Sequence, residues 1–378
     1  MAKKIRVGVI FGGRSGEHEV SVRSAASVIQ AIDRKKYDVL PIAISQEGKW
    51  LSPPEASHLL PQEAQSLLPS GLASESRGDV AILGDPSHTG LMSFDLNGGA
   101  PTSRQLDVVF PVLHGPFGED GTIQGLLEMA NIPYVGCGVL ASACGMDKVA
   151  MKLLFLQAGL PMCKYVWFLR SHWQKNPAKV IKTVMREIGL PCFVKPANLG
   201  SSVGVSKAVD KRSLEQAINL AAEYDRKVIV EEAVDAREIE CAVLGNDQPV
   251  ASLPGEYVVH DNSAGFLDYA EKYTNTGHVD FEVPAPVSKS LATKIQRLAI
   301  QAFQSVDGAG LARVDFFLKR DTRELLINEL NTMPGLTEVS GYPKMWAASG
   351  LSYSRMLDSL IELALERHRE KALNKTSR

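Results

Sequence analysis

Two β-prone runs, Gly310 to Leu318 and Glu324 to Asn331, flank the charged stretch Lys319-Arg-Asp-Thr-Arg323. That pattern predicts a β-hairpin. Strand side chains alternate between faces. Arg313 and Asp315 therefore share one face of the first strand, and Glu329 and Asn331 share one face of the second. A turn centred near Thr322 sets Asp315 opposite Glu329. Carboxylates directly across a ladder repel each other, and these two sit among Val314, Phe316, Phe317, Leu326, Ile327 and Leu330. A half-buried acidic pair needs compensation, most simply by a cation. Two carboxylates and an amide oxygen are hard donors, suited to Mg²⁺ that carries substrate phosphates. A solvated polar hairpin face is the plainer alternative, and the apolar neighbours weigh against it.

The 378 residues suffice for two or three domains with cores of their own. A formal net charge of −2 gives no bulk attraction to nucleic acid or anionic membrane. The Met-Ala-Lys-Lys start lacks a signal-peptide core. No apolar run reaches the ~20 residues of a membrane span. The five cysteines are scattered without a C-x-x-C pair, so they read as reduced structural thiols in a cytoplasmic protein.

The N-terminal part reads as α/β. A β-branched run, Ile5–Phe11, enters Gly12-Gly13-Arg14-Ser15-Gly16 and then a helix over Glu17–Ile32. Such a helix N-terminus can face an anion, yet the G-x-G-x-x-G fingerprint is missing. Glu17 there is, on local sequence alone, a favourable dipole partner. Strands are predicted at Tyr37–Ile44, Asp107–Leu113 and Ile132–Val135, and peripheral strands and loops over Leu51–Thr102. His114 opens a glycine-rich acidic loop beyond the Asp107–Leu113 strand, where open α/β sheets bind ligands.

Further on, Lys195 lies on a strand that enters Asn198-Leu-Gly200-Ser201-Ser202-Val-Gly204 and leaves as a strand. No G-x-x-x-x-G-K-[ST] occurs. A Gly/Ser loop still forms an anion nest, with Lys195 as fixed charge; a flexible surface hairpin is the alternative. The end of the strand Val228–Glu232 reads as a hinge, and Glu238 and Glu240 alternate with Ile239 and Cys241 on the next strand. Those acids either hold ribose hydroxyls or face water. Glu256–Glu282 is long and polar enough for a lid, with Lys272-Tyr273 near its end.

A phosphate loop, an acidic metal face and a lid are the equipment of phosphoryl transfer. Covalent-nucleophile hydrolysis is disfavoured, since neither G-x-S-x-G nor H-E-x-x-H is present. Two readings remain open beside phosphoryl transfer: an NAD-dependent dehydrogenase resting on the first βα unit, and a non-catalytic nucleotide sensor.

Lys195 through Val205, Glu231 through Val234, Arg313-Val-Asp315 and Glu329-Leu-Asn331-Thr-Met-Pro-Gly335 together resemble an ATP-grasp ligase. Phe11-Gly-Gly-Arg-Ser-Gly-Glu17-His-Glu-Val-Ser21, His114-Gly-Pro-Phe-Gly-Glu-Asp-Gly121 and Met146-Asp-Lys148 narrow the resemblance to the D-alanine–D-alanine ligase family. It covers nearly the whole chain. It implies an α/β fold, α+β overall, in three parts: a Rossmann-like N-terminal substrate domain over residues 1–140, a central ATP-grasp subdomain over 141–230, and a C-terminal ATP-grasp domain with metal site and lid over 231–378.

The implied activity joins two D-alanines through an acyl phosphate, with ATP consumed, for peptidoglycan synthesis. It implies a cytoplasmic homodimer with neither nucleic acid nor membrane as partner. Lys148 and Lys195 then meet the ATP phosphates, and Gly200, Ser201 and Ser202 close over them. Glu231, Glu232, Val234, Glu238 and Lys272 match the other ATP contacts. Asp315, Glu329 and Asn331 match the ligands of two Mg²⁺ ions, with Mn²⁺ as a substitute. Glu17 matches the anchor of the first ammonium group, acting with Ser201 and Tyr273, and His114 lies near the substrates. Arg313 and the Gly335 N–H match the oxyanion stabilisers, and Ser340 a binder of the second carboxylate. The lid tyrosine, Tyr273, points to the dipeptide rather than D-alanyl-D-lactate.

Overall fold

A computed structural model of the chain describes residues 3–69, 72, 78–94, 100–200, 202–259 and 279–375. The N-terminal unit begins with strand β1 (Ile5–Gly12), the glycine turn, and helix α1 (His18–Ala31). Gly12 is dictated twice: its φ is +88°, and a Cβ would lie 2.3 Å from the Ile44 carbonyl oxygen. Strands β2 (Tyr37–Ile44) and β3 (Trp50–Leu51) follow, then helices α2 (Pro53–His58) and α3 (Gln62–Gln65). The peripheral region adds a small antiparallel sheet of β4 (Asp79–Ile82), β5 (Leu91–Phe94) and β6 (Thr102–Arg104). Strand β7 (Val108–Val112) then pairs parallel with β1, giving the order β3-β2-β1-β7. Every residue of β7 is buried, as a parallel strand covered on both faces requires.

Helices α4 (Thr122–Met129), α5 (Val139–Met146) and α6 (Lys148–Gln157) lead to the central unit. The predicted strand at Ile132–Val135 reduces to one bridge, Val109 to Tyr134. The Asp147 carboxylate caps α6, accepting from the Val149 and Ala150 N–H groups at 3.0 and 3.1 Å.

The central unit comprises β8 (Tyr165–Leu169), α7 (Arg170–Lys175), α8 (Pro177–Glu187), β9 (Cys192–Pro196), β10 (Ser206–Ala208), α9 (Lys211–Tyr224) and β11 (Lys227–Glu232). Its antiparallel sheet has the order β10-β9-β11-β8, so the Gly/Ser loop is a hairpin connection, as its sequence predicts. Helix α9 starts at an Asp210 cap. Ser213 is the reciprocal partner of a capping box, its N–H donating to Asp210 at 2.7 Å.

The last sheet runs β15-β14-β12-β16-β17, built from β12 (Ala236–Gly245), β13 (Val250–Ala251), β14 (Gly255–Val259), β15 (Val279–Glu282), β16 (Gly310–Lys319) and β17 (Leu325–Asn331), with β13 paired to β12. Helix α10 (Lys289–Ser305) packs Ile295, Ala299 and Phe303 against Cys241, Val314 and Phe316. Helices α11 (Gly341–Ala348) and α12 (Tyr353–Lys371) return to the first unit. Tyr342, Met345, Leu357 and Leu360 share one core with Val7, Val9, Val28 and Ile29. Lys36 and Asp358 form an ion pair at 2.6 Å, and Arg367 donates to the Tyr134 carbonyl at 3.0 Å. Position 231 falls inside β11, and position 140 inside α5. Among the described residues no helix is long and apolar enough to cross a membrane.

Candidate active site

The hairpin holds the register that places Asp315 opposite Glu329. A β-bulge follows at once: Phe316 pairs with Ile327, so Asn328 is the extra residue. On the other side of β16, Asp315 pairs with Glu240 of β12. Three carboxylates, Glu240, Asp315 and Glu329, thus form a row across three adjacent strands. Arg313 balances part of this charge. Its Nε and Nη2 donate to Asp315 at 2.7 and 2.6 Å, and its Nε lies 3.2 Å from Glu240. Lys148, from the first turn of α6, meets Glu329 at 3.3 Å and donates to the Leu199 carbonyl at 2.9 Å. The Asn331 amide oxygen accepts from the Met333 N–H at 2.9 Å and keeps a second lone pair.

Lys195, on β9, forms an ion pair with Glu231 of β11 at 2.6 Å. Lys152 of α6 meets the other oxygen of the same carboxylate at 2.7 Å. Burial alone would push the Glu231 pKa up; the two ammonium groups outweigh it and hold the carboxyl well below its ordinary range. Burial likewise pulls on Lys195, and the charges of Glu231 and Glu329 raise its pKa instead. Glu232 points elsewhere, accepting from the Lys164 N–H at 2.8 Å, and Val234 is half-buried after β11.

The N-terminal unit contributes Glu17 and His114. Gly115, at φ +78°, passes so close to Glu17 that a Cβ would lie 2.7 Å from its Oε2. A Cβ on Gly200 would lie 3.5 Å from the same oxygen, so Glu17 joins the first α/β turn to the Gly/Ser loop. His114 is buried, with Nδ1 3.1 Å from the Met333 carbonyl and Nε2 3.2 Å from the Ser24 hydroxyl. Burial lowers its pKa, but Glu119 first and then Glu17 more than reverse this, so the imidazole stays protonated above its ordinary value. Ser340 is the N-cap position of α11, with its hydroxyl 2.6 Å from that of Thr337.

One cleft collects Glu17, His114, Gly200, Ser202, Glu238, Arg313, Asp315, Glu329, Asn331 and Gly335 among its lining. Lys148 stands behind it through Glu329; Lys195, Glu231, Glu232, Val234 and Ser340 are not among its lining residues. Ser201, Lys272 and Tyr273 lie outside the described residues. Glu119 and Lys152 carry no site assignment from the sequence, and Glu240 is assigned there only to ribose hydroxyls or to water. Glu240 is 2 % exposed rather than facing water. Lys152 carried a usable signal: it lies four residues after Lys148 and among the buried α6 residues Val149, Met151 and Phe155.

The family profile for the D-ala D-ala ligase N-terminus matches residues 6–137, and that for the D-ala D-ala ligase C-terminus matches residues 154–362. A D-alanine–D-alanine ligase of Natranaerobius thermophilus is 47% identical over 376 residues, 99% of this chain and 98% of that protein. One of Heliobacterium modesticaldum is 48% identical over 379 residues, 99% of this chain and 98% of its own length. Among solved structures, the VanG D-Ala:D-Ser ligase of Enterococcus faecalis matches with TM-score 0.81 and 37% identity, over 96% of this chain and all (100%) of that one. The D-alanine–D-alanine ligase of Coxiella burnetii matches at TM-score 0.81 and 34% identity, over 98% and 97%. The architecture is the ATP-grasp fold behind a Rossmann-like unit. The chain belongs to the D-alanine–D-alanine ligase family.

Proposed function

We propose that this protein joins two D-alanine molecules into D-alanyl-D-alanine at the expense of ATP, for peptidoglycan synthesis. The observation that carries this reading is the convergence of one cleft from three parts of the chain: Glu17 and His114, the Gly/Ser loop, and the Arg313–Asp315–Glu329 hairpin.

A carboxylate resists attack by an amine until one of its oxygens becomes a leaving group. In our reading ATP phosphorylates the first D-alanine carboxylate, giving an acyl phosphate and ADP. The amine of the second D-alanine then attacks the acyl carbon, and phosphate leaves. The tetrahedral intermediate develops an oxyanion, for which preorganised donors act most strongly. Arg313 and the Gly335 N–H take that role. Glu17 anchors the first ammonium group, with Ser201 and Tyr273, and His114 sits beside it. Ser340, at the N-terminus of α11, takes the second carboxylate. Lys148, Lys195 and the 200–202 loop hold the phosphates. Glu231, Glu232, Val234, Glu238 and Lys272 border the nucleotide.

Asp315, Glu329 and Asn331 fit a divalent ion by donor chemistry: hard oxygens, two of them anionic and facing each other in register. These residues would hold Mg²⁺, or Mn²⁺ in its place, and the ion would supply charge neutralisation to the phosphates. The domain division at 140 and 230, a cytoplasmic location and a homodimeric state belong to the same reading.

The test is incubation with ATP and Mg²⁺ plus D-alanine, L-alanine or D-serine, following ADP and dipeptide by mass spectrometry. D-Alanine-dependent ADP release matched by D-alanyl-D-alanine is expected; its absence overturns the proposal. The D-serine arm decides the second substrate, since one similar structure is that of a D-Ala:D-Ser ligase.

A further inference from the structure

Lys152 is a lysine that the reaction scheme does not use. It is 1 % exposed, among the largest fully buried side chains of the molecule. A buried ammonium is tolerated only where partners replace water. Lys152 has three. Its Nζ lies 2.7 Å from Glu231 Oε1, donates to the Asn328 carbonyl at 3.3 Å, and sits 5.8 Å from the centre of the Tyr165 ring. These partners belong to different sheets: Glu231 and Tyr165 to the central one, Asn328 to the hairpin sheet. Asn328 is the bulge residue, displaced from the regular ladder and adjacent to Glu329.

The helix supplies the spacing. Residues four apart lie on one face, so α6 presents Lys148 and Lys152 one turn apart. Lys148 reaches Glu329, and Lys152 reaches the carbonyl one residue earlier. On the other side, Glu231 divides its two oxygens between Lys152 and Lys195.

The charge count is the consequence that matters. A carboxylate paired with Lys195 alone would cancel its charge, leaving little field for an anion. A carboxylate shared by two ammonium groups leaves one net positive charge in a buried setting, where electrostatic interactions are strong. We propose that Lys152 is a positioning residue of the nucleotide site. By sharing Glu231 it leaves Lys195 with net positive charge for the polyphosphate, and by binding the Asn328 carbonyl it fixes the bulge that aims Glu329. This rests on the ligase reading of the same cleft.

Lys152→Met, which keeps the length and removes the charge, is the main variant. Lys152→Gln keeps a donor for the Asn328 carbonyl, and Lys152→Arg keeps the charge. Binding of Mg²⁺–ADP to each is measured by calorimetry, alongside KM for ATP, KM for D-alanine and the thermal midpoint. In Lys152→Met and Lys152→Gln, ADP affinity should fall roughly tenfold or more, the usual size for loss of a supporting partner. KM for ATP should rise with it and KM for D-alanine should hold. Lys152→Arg should recover most of the ADP affinity. If Lys152→Met does not fold, Lys152→Gln and Lys152→Arg decide the matter. A folded neutral variant that binds Mg²⁺–ADP like the parent, with only a lowered thermal midpoint, overturns the inference. The ADP measurement needs no turnover. A parent that binds ADP but makes no dipeptide sinks the ligase reading and still tests Lys152.

Discussion

Glu231 and Glu329 are both acidic groups answered by basic ones, but their surroundings differ. The Glu231 side chain is 5% exposed and its partner Lys152 only 2%. Glu329 is 31% exposed, and its partner Lys148 13%. Glu231 and Lys152 are closed to solvent, so their pairing is part of the scaffold. Glu329 lines a cleft, where a ligand's cation can reach it. The same chemistry therefore serves as framework in one place and as ligand set in the other, and burial makes the difference.

The widest separation between the two should come from neutralising each. Asp315→Asn or Glu329→Gln should lower metal-dependent turnover on the order of a hundredfold or more. Glu329→Gln should barely move the unfolding midpoint, because the Glu329–Lys148 pair is partly exposed; Asp315→Asn should cost more, because Asp315 is buried against Arg313. Steady-state rates across a Mg²⁺ titration check this, and parent-like rate and metal dependence would refute the ligand role.

Glu231→Gln should do the reverse and act first on stability. Removing one member of a buried pair strands the other charge, at about 3 kcal/mol or more, and here two lysines are stranded. Urea unfolding of parent and variant measures it. The folded-state pKa of Glu231 is depressed. Its stabilisation is therefore complete above the unfolded value of about 4.3 and is lost as pH falls through the folded one. The gap between parent and Glu231→Gln should stay constant near neutrality and narrow only in acid. A gap that is unchanged in acid would mean Glu231 contributes by packing alone.

What the sequence revealed follows the same division. Period-two alternation and one charged turn were enough to face Asp315 with Glu329, because both positions belong to one hairpin. Glu240 was out of reach: that β12 lies beside β16 is set by nonlocal pairing, which alternation along one strand does not report. The Asn328 bulge was hidden because a symmetric turn predicts an unbroken ladder. Lys152 was passed over because a lysine on an amphipathic helix ordinarily extends to water. The apolar faces of the C-terminal helices complete the N-terminal core, a nonlocal pairing that adjacent residues do not record. The strand–turn–helix start and the Gly/Ser hairpin were legible, since both are written in adjacent residues.

Asp147 offers a smaller effect that touches both assemblies at once. Its carboxylate caps α6 and forms an ion pair with Lys227. Asp147→Ala should destabilise by about 1 kcal/mol, the usual value of an N-cap. It should loosen Lys148 more than Lys152, since fraying begins at the helix end. A rise in KM for ATP with little change in the midpoint is expected from kinetics and thermal melts. Equal losses in Asp147→Ala and Lys152→Met would show that the helix moves as one body and would erase the distinction between its two lysines.

The smallest effect carries the opposite sign in pH and lies on the N-terminal wall. Burial lowers the pKa of His114, but Glu119 and then Glu17 raise it above the ordinary value. Its stabilisation is complete below the unfolded value of about 6.5 and lost as pH rises through the folded one. Glu119→Gln keeps an oxygen for the Gly115 N–H, which now donates to Glu119 at 3.0 Å, and removes the charge. As pH rises above about 6.5 the parent should lose stability relative to this variant, whereas Glu231→Gln should show no such slope. A flat difference for Glu119→Gln would mean that His114 is already neutral, and its contacts with Met333 and Ser24 would then require only one ring proton.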